Sequence, residues 1–210
     1  KIVGCFEGNW AADIDAARQH VRDQAYNQQN YGHAANAASK GHQFEDAQNP
    51  DGDPNAKIFS KFNFDQQPGL CPTFECISAF LQFDADVKYT QKFHDQLPNM
   101  QLMWHIDNLP GNPLKERVID NPDFKYQEPN HLRFLVMLEE WEPGQIVQFG
   151  NIVYTQWKRG TAFAWEWSTL PHLTWNGSWS KRPALQLTGT ATEATWDLVR
   201  NGSRDKVYKI

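Results

Sequence analysis

His105 and Asp107, in the stretch Gln101-Leu-Met-Trp-His-Ile-Asp-Asn108, put an imidazole and a carboxylate two residues apart in a run with strand character. Side chains alternate across a strand, so Gln101, Met103, His105 and Asp107 are expected on one face, and Met100, Leu102, Trp104 and Ile106 on the other, packed face. Two imidazoles and a carboxylate make a facial triad that leaves three positions open on a non-haem Fe(II), and His105 with Asp107 supply two of the three. His-x-Asp alone is a weak signal. His172 strengthens it, in Thr-Leu-Pro-His-Leu-Thr-Trp-Asn-Gly, and so does Arg182, which opens a strand-like run ten residues later. On that run Arg182, Ala184, Gln186 and Thr188 share a face, so a guanidinium points inward beside a small side chain. An inward arginine is costly without an anion, and its planar fork grips a carboxylate bidentately. An ion pair with Glu166 is the ordinary alternative. The pattern predicts that His105, Asp107 and His172 converge on one metal, and that Arg182 lines the same cavity on a strand next to that of His172.

The elements that must position these groups are short. Trp10, Ile14, Ala17, Val21 and Ala25 recur at helical spacing, predicting a helix over Trp10–Asn27 with Asn9 as its cap. Residues 27–55 are rich in Asn, Gln, Ala and Gly and suit a surface segment. A short strand with Phe62 and Phe64 follows, then a helix over Thr73–Phe83 after Pro72. Both helices are expected to pack outside the sheet that bears Met100, Leu102, Trp104 and Ile106. Val87, Tyr89 and Phe93 alternate, and Leu97-Pro98-Asn99 turns into the His-x-Asp strand as an antiparallel pair. Residues 108–130, with several prolines, form an irregular excursion placed to cover a site as a lid. Beyond them Leu132–Leu138, Gln145–Phe149, Asn151–Trp157, Thr161–Trp167 and Arg182–Gly189 are apolar runs split by Pro143-Gly144, Gly150, Gly160 and Asn176-Gly177. Many short strands with turn signals predict a mainly β fold with flanking helices, a double-stranded β-helix or jelly roll of cupin type. The expected organisation is one domain over residues 1–210, with 1–85 as helical and loop support and 86–190 as the jelly-roll core.

The order His-x-Asp, distant His, then Arg ten residues on resembles the Fe(II)/2-oxoglutarate-dependent dioxygenases over about residues 86–190. Arg133-Phe-Leu-Val-Met-Leu-Glu-Glu-Trp-Glu-Pro-Gly144, Trp157-Lys-Arg-Gly-Thr161 and Pro171-His172 resemble their prolyl-hydroxylase-like branch, including marine phage members. The resemblance implies that His105, Asp107 and His172 hold Fe(II) and that Arg182 holds the distal carboxylate of 2-oxoglutarate. It implies hydroxylation of an unactivated C–H bond, of a peptidyl proline, another side chain or a small molecule, with release of succinate and CO2. Many prolyl hydroxylases carry Lys at the position of Arg182, and the residues before the His-x-Asp motif lack a clear family tyrosine for the cosubstrate.

With 210 residues and 24.2 kDa the chain can bury a full core without cross-links. Three cysteines, Cys5, Cys71 and Cys76, suit neither a disulfide framework nor a metal knuckle, so a reducing cytoplasm is expected, with Cys71 and Cys76 as core residues. No run approaches a membrane span, and a net charge of -5 with scattered basic residues argues against nucleic acid. Tryptophan number, nine, leaves two rival classes open. One is a non-catalytic jelly-roll module that binds carbohydrate on exposed Trp faces. The other is a cupin-type metal isomerase. Trp141, Trp157, Trp165, Trp167, Trp175, Trp179 and Trp196 are otherwise expected as packing residues.

Overall fold

The computed structural model describes residues 1–30, 59–86, 88–105, 131–166 and 170–210. Asp107, Trp167 and the expected lid at 108–130 lie outside the described residues. Among the described residues eleven strands form the frame: β1 Ile2–Glu7, β2 Phe59–Asn63, β3 Lys88–Gln96, β4 Met100–His105, β5 His131–Met137, β6 Gln145–Phe149, β7 Ile152–Tyr154, β8 Thr161–Trp165, β9 His172–Asn176, β10 Arg182–Thr190 and β11 Val207–Lys209. Among the described residues three α-helices accompany them, α1 Ala11–Asn30, α2 Pro72–Phe80 and α3 Glu193–Arg200.

A seven-stranded sheet runs β11-β1-β8-β5-β10-β3-β2 and a four-stranded sheet runs β4-β9-β6-β7. Taken alone, β3 to β10 divide four and four between the two sheets, in the orders β8-β5-β10-β3 and β4-β9-β6-β7, so that the first and last of the eight are neighbours, as in a double-stranded β-helix. This is the expected mainly β jelly roll. β1, β2 and β11 widen one sheet, and neither β1 nor β11 is marked by alternation or turn signals in the sequence.

Glycine turns close the roll where they were expected. Gly144, Gly150 and Gly160 all have positive φ, the region a Cβ disfavours. Gly160 (φ +87°) also has no room for a side chain, because a Cβ there would lie 1.9 Å from the carbonyl oxygen of Phe6.

Three expectations are corrected. β3 and β4 do not pair: β3 joins β10 and β2, and β4 joins β9. The chain instead crosses between sheets at Leu97–Asn99, where Asn99 takes φ +58°, a conformation asparagine tolerates. The helices lie outside the roll but on the seven-stranded sheet. Trp10, Ile14 and Ala17 of the first helical segment and Phe74, Ile77 and Leu81 of the second pack with Phe62, Phe93, Phe134, Val136, Leu185 and Leu187. That outer face is apolar at alternate positions and needs a cover, whereas Gln101, Met103 and Trp104 are exposed on the small sheet. Buried Asp13 joins the helices, accepting from the backbone N–H of Thr73 (2.7 Å) and Phe74 (3.0 Å) at the start of α2.

The third correction concerns Cys76, which is exposed while Cys71 is buried. Burial, with the charges of Asp13 and Glu75, pushes the Cys71 thiol up to about 12. Burial raises Cys5 too, and its Sγ donates to the Arg159 carbonyl at 3.0 Å. At pH 8 only ~1 in 10,000 Cys71 side chains would be thiolate. Brief iodoacetamide treatment of the native protein should therefore label Cys76 first, Cys5 slowly and Cys71 only on unfolding, as read by peptide mass spectrometry. Labelling of Cys71 at the rate of Cys76 would contradict this packing.

Candidate functional site

His105 ends β4 and His172 begins β9, and the two are paired across the ladder. Their approach depends on an irregularity. Leu102 pairs with Thr174 and His105 with His172, so three steps on β4 match two on β9. A regular ladder would have set Trp104 opposite His172. The extra residue is a β-bulge, a device that re-aims a side chain. It turns His105 to the face of Met100 and Leu102, which corrects the simple alternation expected for this strand. Met103 and Trp104 are left outside, 45% and 46% exposed.

The imidazole rings lie 4.3 Å apart between centroids. Each turns Nδ1 onto the carbonyl oxygen two residues earlier, His105 onto Met103 at 2.7 Å and His172 onto Leu170 at 3.1 Å. A carbonyl only accepts, so Nδ1 carries the proton and the neutral ring has its lone pair on Nε2. Metal-binding histidines are commonly oriented by this type of bond. Phe149 and Trp165 border His172, with ring centroids at 6.2 and 5.2 Å.

Arg182, 5% exposed, starts β10 in the seven-stranded sheet and reaches across the interior. Nη1 donates to the Ile146 carbonyl at 3.2 Å and Nη2 to the Thr174 hydroxyl, both on the small sheet. Its guanidinium carbon sits 5.8 Å from the Trp157 ring centroid. It therefore faces β9 across the roll and is not on a neighbouring strand, which corrects the expectation for its position. Thr174 follows His172 by two residues, about 6.7 Å along the strand.

A polar network fixes this end. The Gln96 amide donates to the Met100 carbonyl at 3.0 Å, Thr174 donates to Gln96 Oε1 at 3.2 Å, and Asn176 donates to the carbonyls of Gln96 and Ser180 at 3.0 and 2.8 Å. Satisfied buried networks of this sort hold one arrangement.

Arg182 stands apart from that satisfaction. Its Nε is buried without a hydrogen-bond partner, and no carboxylate among the described residues lies within ion-pair distance, Glu166 included. Burial pulls the guanidinium down to about 9, which leaves it a cation at neutral pH. An uncompensated interior cation asks for an anion. Ala184 is buried beside it with little volume. Among the described residues no three His, Cys, Asp or Glu side chains cluster around one ion, so the third metal ligand expected, Asp107, falls outside what the structure describes.

Trp165, expected in packing, is buried beside His172, whereas Arg133 is an interior group that the sequence did not single out. Arg133, 3% exposed, pairs with Thr188 on β10 and with Trp165 on β8. Period-2 alternation from Arg182 through Thr188 could have found it, once β5 and β10 were known to be neighbours. Trp175 and Trp179, expected in packing, are 45% and 91% exposed.

No family model and no curated protein matches the chain. Solved structures that resemble it include the cupin domain of an XRE family transcriptional regulator from Enterobacter cloacae, at 10% identity and a TM-score of 0.34, covering 53% of this chain and 90% of that one. The cupin domain of Cnp3 from Schizosaccharomyces pombe resembles it at 7% identity and a TM-score of 0.33, covering 58% and 68%. A sugar phosphate isomerase of the cupin superfamily from Silicibacter pomeroyi does so at 9% identity and a TM-score of 0.32, covering 50% and 52%. No helix among the described residues is long and apolar enough to cross a membrane.

Proposed function

We propose that this chain is an Fe(II)- and 2-oxoglutarate-dependent dioxygenase that hydroxylates an unactivated C–H bond, of a peptide side chain such as proline or of a small molecule, with release of succinate and CO2. The observation that carries the reading is Arg182: a buried cation with no described carboxylate beside it, reaching the strand of His172 two residues from that imidazole. A dicarboxylate cosubstrate supplies the anion that this guanidinium lacks among the described residues.

The residues present fit the two groups. His105 and His172, with their Nε2 lone pairs set by the Nδ1 bonds, would hold Fe(II) together with Asp107, two residues on from His105. Bound iron supplies the activation of O2 and of the 2-oxo acid. The chain supplies the rest. Arg182 takes the far carboxylate, with the Trp157 face beside it, and the small Ala184 leaves space along the strand. Phe149, Phe163 and Trp165 make an apolar, water-excluding wall next to His172, which protects a reactive centre from side reactions.

The exposed Trp104, Trp175 and Trp179 favour a second reading, a module that binds carbohydrate on indole faces. One experiment separates the two. Metal-free protein is given Fe(II) and 2-oxoglutarate without oxygen, then exposed to O2 with a panel of peptides and metabolites while succinate is measured. The oxygenase reading expects one Fe(II) and one 2-oxoglutarate per chain, and succinate that rises with a substrate. Absence of 2-oxoglutarate binding by the iron-loaded protein, with binding of soluble oligosaccharides, would replace it with the module.

A further inference from the structure

A cavity of about 410 Å³ lies at the end of β8 away from the imidazole pair. Thr161, which begins β8, lines it, whereas Trp165, which borders His172, is four residues on, about 13 Å along the strand. The volume falls in the range of small-ligand pockets, roughly 300–1,000 Å³. Its walls come from β1, from the β5–β6 and β7–β8 connections and from the turn before β11. Backbone bonds knit these segments together. The Trp141 N–H donates to the Trp157 carbonyl at 3.3 Å and the Cys5 N–H to the Lys206 carbonyl at 2.8 Å, while Cys5 pairs with Thr161 across the β1–β8 ladder. The Trp141 indole is itself tied to the Gln145 carbonyl at 2.9 Å. The cavity is therefore formed before any ligand enters.

Its lining is graded. Trp157 and Thr161 are buried and, with Ile2 and Trp141, give a floor of indole, aliphatic surface and one hydroxyl, without charge. Glu140, Lys158, Arg204 and Asp205, two anions and two cations, stand exposed at the rim beside Gln156. Among the described residues none of the four is ion-paired with another, so each keeps its hydrogen-bonding capacity for a ligand. A solvated charge contributes little to an ion held beside it, and these four sum to zero. The rim thus gives a charged molecule no net attraction but offers donors and acceptors together. A sugar ring matches both parts, because its C–H face can lie on indole while its hydroxyls, each donor and acceptor, meet the rim.

We propose that this cavity binds one neutral sugar ring, in a ligand site separate from the imidazole pair and from the exposed Trp104, Trp175 and Trp179. The claim is one of binding and stands independently of the dioxygenase reading. The two meet at a single residue: the Trp157 ring lies 5.8 Å from the Arg182 guanidinium carbon, so the floor of the cavity is also a wall beside that arginine.

The chain labelled with 15N is titrated with glucose, galactose, mannose and N-acetylglucosamine, following the Trp141 and Trp157 indole N–H resonances assigned through Trp141→Phe and Trp157→Phe. At least one sugar should move both resonances saturably, and equally at low and high salt, since contacts to a neutral ligand are not screened. Free alanine, a zwitterion, and butyrate, an anion, should bind more weakly. Gln156→Ala should weaken sugar binding ~2- to 10-fold and Trp141→Ala ~5-fold or more, whereas Trp104→Ala, Trp175→Ala and Trp179→Ala should leave it unchanged. Retained dispersion of the other amide resonances shows that each variant is folded, and Gln156, being exposed, carries the test if Trp141→Ala unfolds. The same sugar is also offered at the end of a linear oligosaccharide: equal affinity assigns the site to the terminal ring of a glycan, and weaker binding assigns it to the free sugar. Indole resonances that none of the sugars moves, free alanine or butyrate bound as tightly, undiminished binding by Gln156→Ala, or binding lost with Trp175 or Trp179 would overturn the site.

Discussion

Replacing Arg182 with alanine should weaken 2-oxoglutarate binding by roughly 30- to several-thousand-fold, the loss of a buried charge-assisted contact of about 2–5 kcal/mol. Fe(II) binding should barely change, because Arg182 reaches Thr174 and Ile146 and not the imidazoles. The measurement is a titration of the anaerobic Fe(II) protein with 2-oxoglutarate, followed by the weak visible charge-transfer band that the family resemblance implies. The direction of the effect follows from the burial. A base whose pKa is lowered on folding penalises the folded state at pH values below its folded pKa, and the penalty fades as pH rises through about 9 toward the ordinary arginine value. At pH 7 the penalty is fully present, so an anion that enters beside Arg182 relieves it and should raise the unfolding temperature. Without ligand, Arg182→Ala should unfold close to the parent temperature, since the removed desolvation cost offsets the lost hydrogen bonds to Ile146 and Thr174 and the lost contact with Trp157. Undiminished 2-oxoglutarate affinity in the variant would take Arg182 out of the site and leave the assignment on the histidines and Asp107.

How much of this arrangement could be read from the chain depends on the kind of information each part needs. Alternation and turn glycines were local, so β5, β6, β8 and β10 were legible, with Gly144, Gly150 and Gly160 as punctuation. The inward face of β10 was legible for the same reason, since Arg182, Ala184, Gln186 and Thr188 are fixed by period two once one of them faces in. His105 and His172 stood out because few other residue pairs combine that chemistry with strand neighbours. The bulge between Leu102 and His105 left no mark in the sequence. It is defined by a partner strand some seventy residues away, and a one-residue slip reverses a whole face. Sheet membership was equally hidden. The close sequence neighbours β3 and β4 fall in different sheets, and β1 finds β8 and β11 from the far end of the chain. Trp175 and Trp104 were expected inside because large apolar side chains usually are, but the helices went to the other sheet and left that face uncovered.

The second large effect is expected far from the imidazoles, at Asp95. This carboxylate is fully buried on the outer side of β3, where Arg18 of α1 meets it through Nε at 2.8 Å and Nη2 at 3.2 Å, and Lys181 stands 3.8 Å away. Removing one member of a buried pair costs about 3–5 kcal/mol when the remaining charge is trapped. Here the cations retain access to water, their side chains being 25% and 43% exposed, so the cost falls at or below the bottom of that range and Asp95→Asn should cost roughly 2–3 kcal/mol. In a chain of this size that lowers the unfolding midpoint by roughly 5–10 °C. Thermal and urea unfolding of Asp95→Asn, Arg18→Gln and the double variant would measure it, and the two changes should be strongly non-additive because they break the same contact. The effect should reach the site as well. Asp95 pairs with Pro183 across the β3–β10 ladder, and its neighbour Gln96 pairs with Arg182 and binds Thr174. Anchoring α1 and the start of β10 to one carboxylate keeps Arg182 aimed across the roll, so Asp95→Asn should also weaken 2-oxoglutarate binding, by less than Arg182→Ala does. A change in stability below about 0.5 kcal/mol, the range of ordinary surface substitutions, would show that the ion pair neither anchors the helix nor steadies the arginine strand.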